Sequence, residues 1–116
     1  MTQQVSVGNV LYPVKDVDAA VNFYASVLSL ATKFQDGTRF AALDGGSVSV
    51  ALAGDEEDVT DGRVAASFKV DDVQQAVDSA VNNGARVLRA PEQGPHEIRA
   101  VLIDPWDNPL VVYSRT

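Results

Sequence analysis

The run Val14-Lys15-Asp16-Val17, followed by Ala20-Val21, recurs as Val70-Asp71-Asp72-Val73 followed by Ala76-Val77, at a constant offset of 56 residues. A repeat of nearly half of a 116-residue chain constrains the fold more than any other feature. It demands two similar modules, and neither alone has enough chain to cover its apolar face. Each copy closes a strand-like run and opens a helix-like one. Asp16 and Asp72 occupy the position from which a side-chain oxygen caps a helix. Val17, Ala20, Val21, Tyr24, Val27 and Leu28 then fall at helical spacing, as do Val73, Ala76, Val77, Ala80 and Val81.

The remaining pattern is strand-like. Valine-rich or alternating runs predict strands over 5–14, 30–35, 39–43 and 47–53 in the first module. The second module gives 64–70, 86–90, 99–103 and 110–115, with loops at 91–95 and 104–109. Asp36-Gly37 and Asp44-Gly45-Gly46 are turn signals, and Asn83-Gly84 stops the second helix. The acidic, glycine-bounded stretch 54–62 joins module one (5–53) to module two (63–115). The expected fold is α+β, a single domain of two tandem βαβββ modules. Their paired curved mixed sheets would enclose a cleft, with the helices outside. Clefts of this kind favour small ligands.

Composition narrows the partners. With 46% hydrophobic residues the chain can build a core without staples, and with no Cys it has no disulfide, thiolate site or Cys nucleophile. A formal net charge of −7 argues against nucleic acid and anionic membranes. It is compatible with a cationic ligand, or simply with a solvated acidic surface. No apolar run is long enough to span a bilayer, and no signal peptide is visible, so a cytoplasmic protein is expected.

The chain resembles the vicinal oxygen chelate superfamily, which contains glyoxalases, extradiol dioxygenases and bleomycin-resistance proteins. Val14-Lys15-Asp16, Ala20-Val21, Phe23-Tyr24 and Leu28-Ser29-Leu30 carry the likeness in module one. Val70-Asp71-Asp72, Asn83-Gly84-Ala85 and Asp104-Pro105-Trp106-Asp107-Asn108 carry it in module two. Ser29 departs from the glycine usual after the first helix. Its left-handed cap would cost about 1 kcal/mol, so a different turn is expected there.

Catalytic members of that superfamily hold a divalent metal with His, Gln or Glu from the first and last strands of each module. The resemblance places the first-strand positions at Asn9 and Ala65. The last-strand position of module two falls near Val111, and its module-one counterpart near Val48 or Val50. Borderline metals want imidazole or carboxylate ligands, and the chain has one His, His96. A second copy of the chain would bring the same side chains. The resemblance therefore implies a metal-free, cofactor-free member of bleomycin-resistance type, and a homodimer.

Six residues are candidate ligand contacts: Asn9, Phe40, Ser67, Arg99, Trp106 and Tyr113. Asn9 and Ser67 would offer hydrogen bonds, Trp106 and Phe40 stacking or apolar contact, Tyr113 a hydroxyl and Arg99 a counter-charge. Each has a plain structural alternative as core, plug or surface residue. Phe23 and Tyr24 read as core. His96, in a Gly-Pro loop without an orienting partner, reads as a surface residue. The leading functional expectation is metal-independent binding of a small organic ligand, cationic or aromatic. A metal-free lyase or isomerase using His96 or Glu97 as base is one alternative. A regulatory domain without a ligand is another.

Overall fold

A computed structural model describes residues 4–115. The chain forms two compact units, one of Asn9–Val64 and one that joins the segment ending at Gly8 to the chain from Ala65 onward. β1 (Ser6–Pro13) enters the first unit at Asn9 and leads into α1 (Val17–Leu28), then β2 (Thr32–Asp36), β3 (Phe40–Asp44) and β4 (Ser49–Ala53). The strand order is β2-β3-β4-β1. β1 runs parallel to β4, and the other neighbours are antiparallel. In the second unit, β5 (Ala65–Lys69), α2 (Val73–Asn82), β6 (Arg86–Gln93), β7 (Glu97–Ile103) and β8 (Pro109–Arg115) give the order β5-β8-β7-β6, with β5 parallel to β8. The fold is α+β, with the βαβββ sequence of elements occurring twice.

Helix starts follow from the caps. The Asp16 carboxylate accepts the N–H of Ala19, and that of Asp72 accepts the N–H of Gln75, each at 3.0 Å. At the end of α1, Ser29 does adopt the left-handed conformation, with φ 59° and ψ 31°. The expected departure from the family turn is therefore corrected. The Ser29 and Leu30 N–H groups, bonded to the carbonyls of Ala25 and Tyr24, hold the turn against its conformational cost.

Each helix covers one face of its own sheet. Val17 on α1 packs on Ala41, Leu43 and Leu52, with Tyr12, Tyr24 and Val50 at the margin. Val73 and Val77 on α2 pack on Ala100, Leu102 and Val112. Only the front of α1 is buried. Phe23 is 56% exposed, its ring edge-on to Tyr24 at 5.1 Å, and Val27 and Leu28 are exposed as well. Phe23 is thus not core, because it lies on the side of α1 turned away from its sheet.

Most strand ends fall within two residues of expectation, and two regions depart further. β6 continues through Pro91 to Gln93, since it is the last strand in the order of its sheet and the pairing with β7 is irregular between Arg89 and Glu92. An edge strand loses no ladder bond at proline. The joint contains a short 3₁₀ turn at Asp55–Glu57, and Arg39 holds its two glutamates, Glu57 by a close hydrogen-bonded ion pair. No helix among the described residues is long and apolar enough to cross a membrane.

Candidate functional site

Strand alternation gives each sheet a second face, opposite its helix. In the 9–64 unit this face carries Asn9, Leu11, Ser49, Ala51, Ala53, Phe40 and Ala42, in the registers Asn9↔Ser49, Leu11↔Ala51 and Phe40↔Ala53. Ala51 and Ala53 are buried. The Asn9 Oδ1 is buried without a hydrogen-bond partner among the described residues, an atom that in most interiors would be satisfied.

In the second unit the face away from α2 carries two cross-strand rows. Ser67 pairs with Val111, and Val111 with Val101; Lys69 pairs with Tyr113, and Tyr113 with Arg99, which is followed by Glu92. Glu97 and Arg115 face each other one step further along β7 and β8. Ser67, Val101 and Val111 are buried, and Tyr113 is 8% exposed. Burial raises the Tyr113 pKa above its usual 10.0; Arg115 opposes that shift and Glu97 adds to it. The phenol is therefore a neutral donor throughout the physiological range. Its oxygen lies against Gly8, where any Cβ would overlap it outright. The glycine makes room for the ring at the position it occupies.

A depression of about 230 Å³ opens beside this face, walled by Gln4, Val5, Ser6, Lys69, Val70 and Asp71. The Gln4 N–H donates to the Asp71 carboxylate at 2.9 Å and ties down the N-terminal wall.

The predicted contacts are thus divided. Ser67, Arg99 and Tyr113 share one sheet face, while Asn9 and Phe40 lie on the corresponding face of the other unit. Trp106 is 79% exposed in the turn between β7 and β8, at the end of β8 remote from Tyr113. Asp104 builds that turn by accepting the N–H groups of Trp106 and Asn108. His96 is exposed in the turn between β6 and β7. Sequence reasoning placed neither Gly8 nor Lys69 among the contacts. The pairing Lys69↔Tyr113 is what connects Lys69 to the other residues.

Register also corrects the metal-position alignment. Val50 packs against the helix side, and Val48 precedes β4. Because Leu11↔Ala51 matches Ser67↔Val111 across the repeat, the counterpart of Val111 is Ala51. The four positions then carry Asn9, Ala65, Ala51 and Val111. Three have no donor atom, so this set does not fit a borderline divalent metal. Among the described residues no three His, Asp or Glu side chains gather to replace them.

Residues 9–113 match the glyoxalase-like domain. The chain belongs to this family. A glyoxalase-like domain of this kind lies within the vicinal oxygen chelate superfamily. A protein of Mycolicibacterium smegmatis described only as uncharacterized is 37% identical over 105 residues, which is 90% of each chain. Among solved structures, a glyoxalase/bleomycin resistance protein/dioxygenase superfamily member from Vibrio splendidus is similar with a TM-score of 0.70 at 19% identity, covering 97% of this chain and 99% of that one. A methylmalonyl-CoA epimerase from Streptomyces coelicolor, in complex with 2-nitronate-propionyl-CoA, gives a TM-score of 0.69 at 21% identity, covering 93% and 95%. At these identities the two structures show that the glyoxalase-like fold is shared.

Proposed function

We propose that this glyoxalase-like domain binds a small organic molecule without a metal. The observation that carries the reading is a substitution of chemistry within one fold. Where a metal-dependent relative would place ligands, this chain has Ala65, Ala51, Val111 and Asn9. Polar side chains are nonetheless retained among buried neighbours, on the sheet faces that no helix of their own unit covers. Among the described residues, Asn9 Oδ1 is the side-chain atom left buried without a hydrogen-bond partner; Ser67 and Tyr113 make no side-chain hydrogen bond either, their oxygens remaining reachable from the face. Buried polar groups without partners are costly unless something else satisfies them, and a ligand is the natural candidate.

Sequestration, as in bleomycin-resistance proteins, is the corresponding activity, carried out by a cytoplasmic homodimer. The depression beside Lys69 is below the roughly 300 Å³ at which drug-sized sites begin, which favours a metabolite-sized ligand. A thermal-shift screen of small aromatic and polar metabolites, with EDTA and with added divalent ions, tests the reading. A hit at 100-fold its Kd should add about 2.7 kcal/mol of stability, and EDTA should leave that gain unchanged. Loss of the gain in EDTA would refute metal independence.

An isomerase or lyase is the second reading, favoured by the fold shared with the Streptomyces epimerase. Glu97 is the base it would use, since it lies on the face of Tyr113 and its charge is felt there. That reading expects Glu97→Gln to abolish turnover of a bound compound while leaving its binding intact.

A further inference from the structure

The overall charge of −7 suggests a cationic ligand, but the two side chains that flank Tyr113 directly are both basic. Lys69 and Arg99 flank Tyr113 on the two adjacent strands, β5 and β7. Neighbouring strands stand about 4.8 Å apart, so the two cations rise from backbone positions about 10 Å apart with the phenol between them. Neither forms an ion pair or a side-chain hydrogen bond with any described residue. In a chain with 16 acidic and 9 basic side chains, two unpaired cations beside one another are unexpected. The acids on the same face, Glu92 and Glu97, stand on the outer side of Arg99 and at the start of β7. The Tyr113 residue is more than nine-tenths buried, yet its hydroxyl makes no hydrogen bond to a described residue and its oxygen is not itself enclosed. Gly8 admits the phenol oxygen, which packs where a Cβ would otherwise stand.

We propose that Tyr113, Arg99 and Lys69 form a subsite for the carboxylate of a small organic acid. The phenol donates to one oxygen, the Arg99 guanidinium faces the carboxylate plane, and Lys69 supplies a point charge from the opposite side. The body of the acid lies toward the depression that Lys69 helps to wall. Short-range charge decides here: Lys69 and Arg99 would touch the ligand, whereas Glu92 and Glu97 stand beyond Arg99, Asp71 at the wall of the depression accepts the Gln4 N–H, and acids more than about 10 Å away are screened at physiological ionic strength. This assignment rests on the ligand-binding reading above and names its ligand class.

The test uses three probes with the same ring and different charge: benzoate, benzamide and benzylamine. Binding to the full chain is followed by NMR of ¹³C-labelled tyrosine rings, with the Tyr113 signal assigned from Tyr113→Phe. Benzoate should shift the Tyr113 signal and leave Tyr12 and Tyr24, which pack together between α1 and its sheet, unmoved. Arg99→Gln should weaken benzoate binding about tenfold or more, Arg99→Lys should restore part of it, and the exposed Lys69→Gln should weaken it several-fold. Lys69→Gln also keeps the test informative if Arg99→Gln fails to fold. Benzylamine binding as tightly as benzoate would overturn the assignment, as would benzoate affinity indifferent to both substitutions. Silence with all three probes overturns it too. If other compounds still stabilise the chain in the thermal screen, the carboxylate subsite fails alone; if none does, the ligand-binding reading fails with it.

Discussion

Gly8→Ala probes the packing on which the Tyr113 site depends. Gly8 has no positive φ, so alanine suits its backbone. By itself the exchange should stabilise by about 0.4–1 kcal/mol, because the unfolded chain loses freedom. The new Cβ, however, would overlap the Tyr113 oxygen, and the nearest ring carbon is also too close. Shifting a packed aromatic side chain or its strand costs about 1–3 kcal/mol. The net expectation is destabilisation by about 1–2 kcal/mol, a fall of about 3–10 °C in Tm for a domain of this size. Tyr113→Phe removes the overlapping atom. Because that hydroxyl has no partner among the described residues, the single exchange should be close to neutral. A double-mutant cycle by urea denaturation then reads the contact. Gly8→Ala should be tolerated better in the Tyr113→Phe background, with a coupling of about 1 kcal/mol. Additivity within about 0.3 kcal/mol, or a stabilising Gly8→Ala in the native background, would refute the claim that glycine is there to admit the phenol.

Three further expectations follow from local chemistry. Ser29→Gly should raise stability by about 1 kcal/mol in chemical denaturation, since Ser29 holds φ 59° at the end of α1. Asp16→Ala should cost about 1 kcal/mol through loss of the bond to the Ala19 N–H, read the same way. Burial raises the Tyr113 pKa above the unfolded value of 10.0, so its contribution to stability is full below that pH and is lost as pH rises through the folded pKa. Tm measured from pH 9 upward should therefore fall less steeply in Tyr113→Phe than in the native chain, and parallel curves would contradict the burial argument.

The duplicated plan is legible because its signals are local. The capping aspartates Asp16 and Asp72, the helical stripes behind them and the Asn83-Gly84 stop each act within a few residues. Pro91 misleads because its meaning depends on strand order: proline ends an interior strand but is harmless on an edge such as β6. Val50 falls on the wrong face in a sequence alignment because the spacing of the glycine turn before β4 cannot be counted from sequence, and one residue of slip reverses every side chain. Val27 and Leu28 show the limit of periodicity, which finds an apolar stripe but not how much of it the sheet is wide enough to cover. The carboxylate subsite is only partly visible. Arg99 and Tyr113 stand out by type, whereas Lys69 joins them through parallel pairing of β5 with β8, and Gly8 through contact between opposite ends of the chain.

The central claim is that ligand binding here needs no metal. Elemental analysis of the purified chain, paired with the unfolding midpoint of its ligand-bound form in EDTA and in added zinc, nickel, iron or manganese, tests it most directly. The account predicts far less than one metal per chain and the same midpoint in every condition. A stoichiometric metal whose removal lowers that midpoint would contradict it.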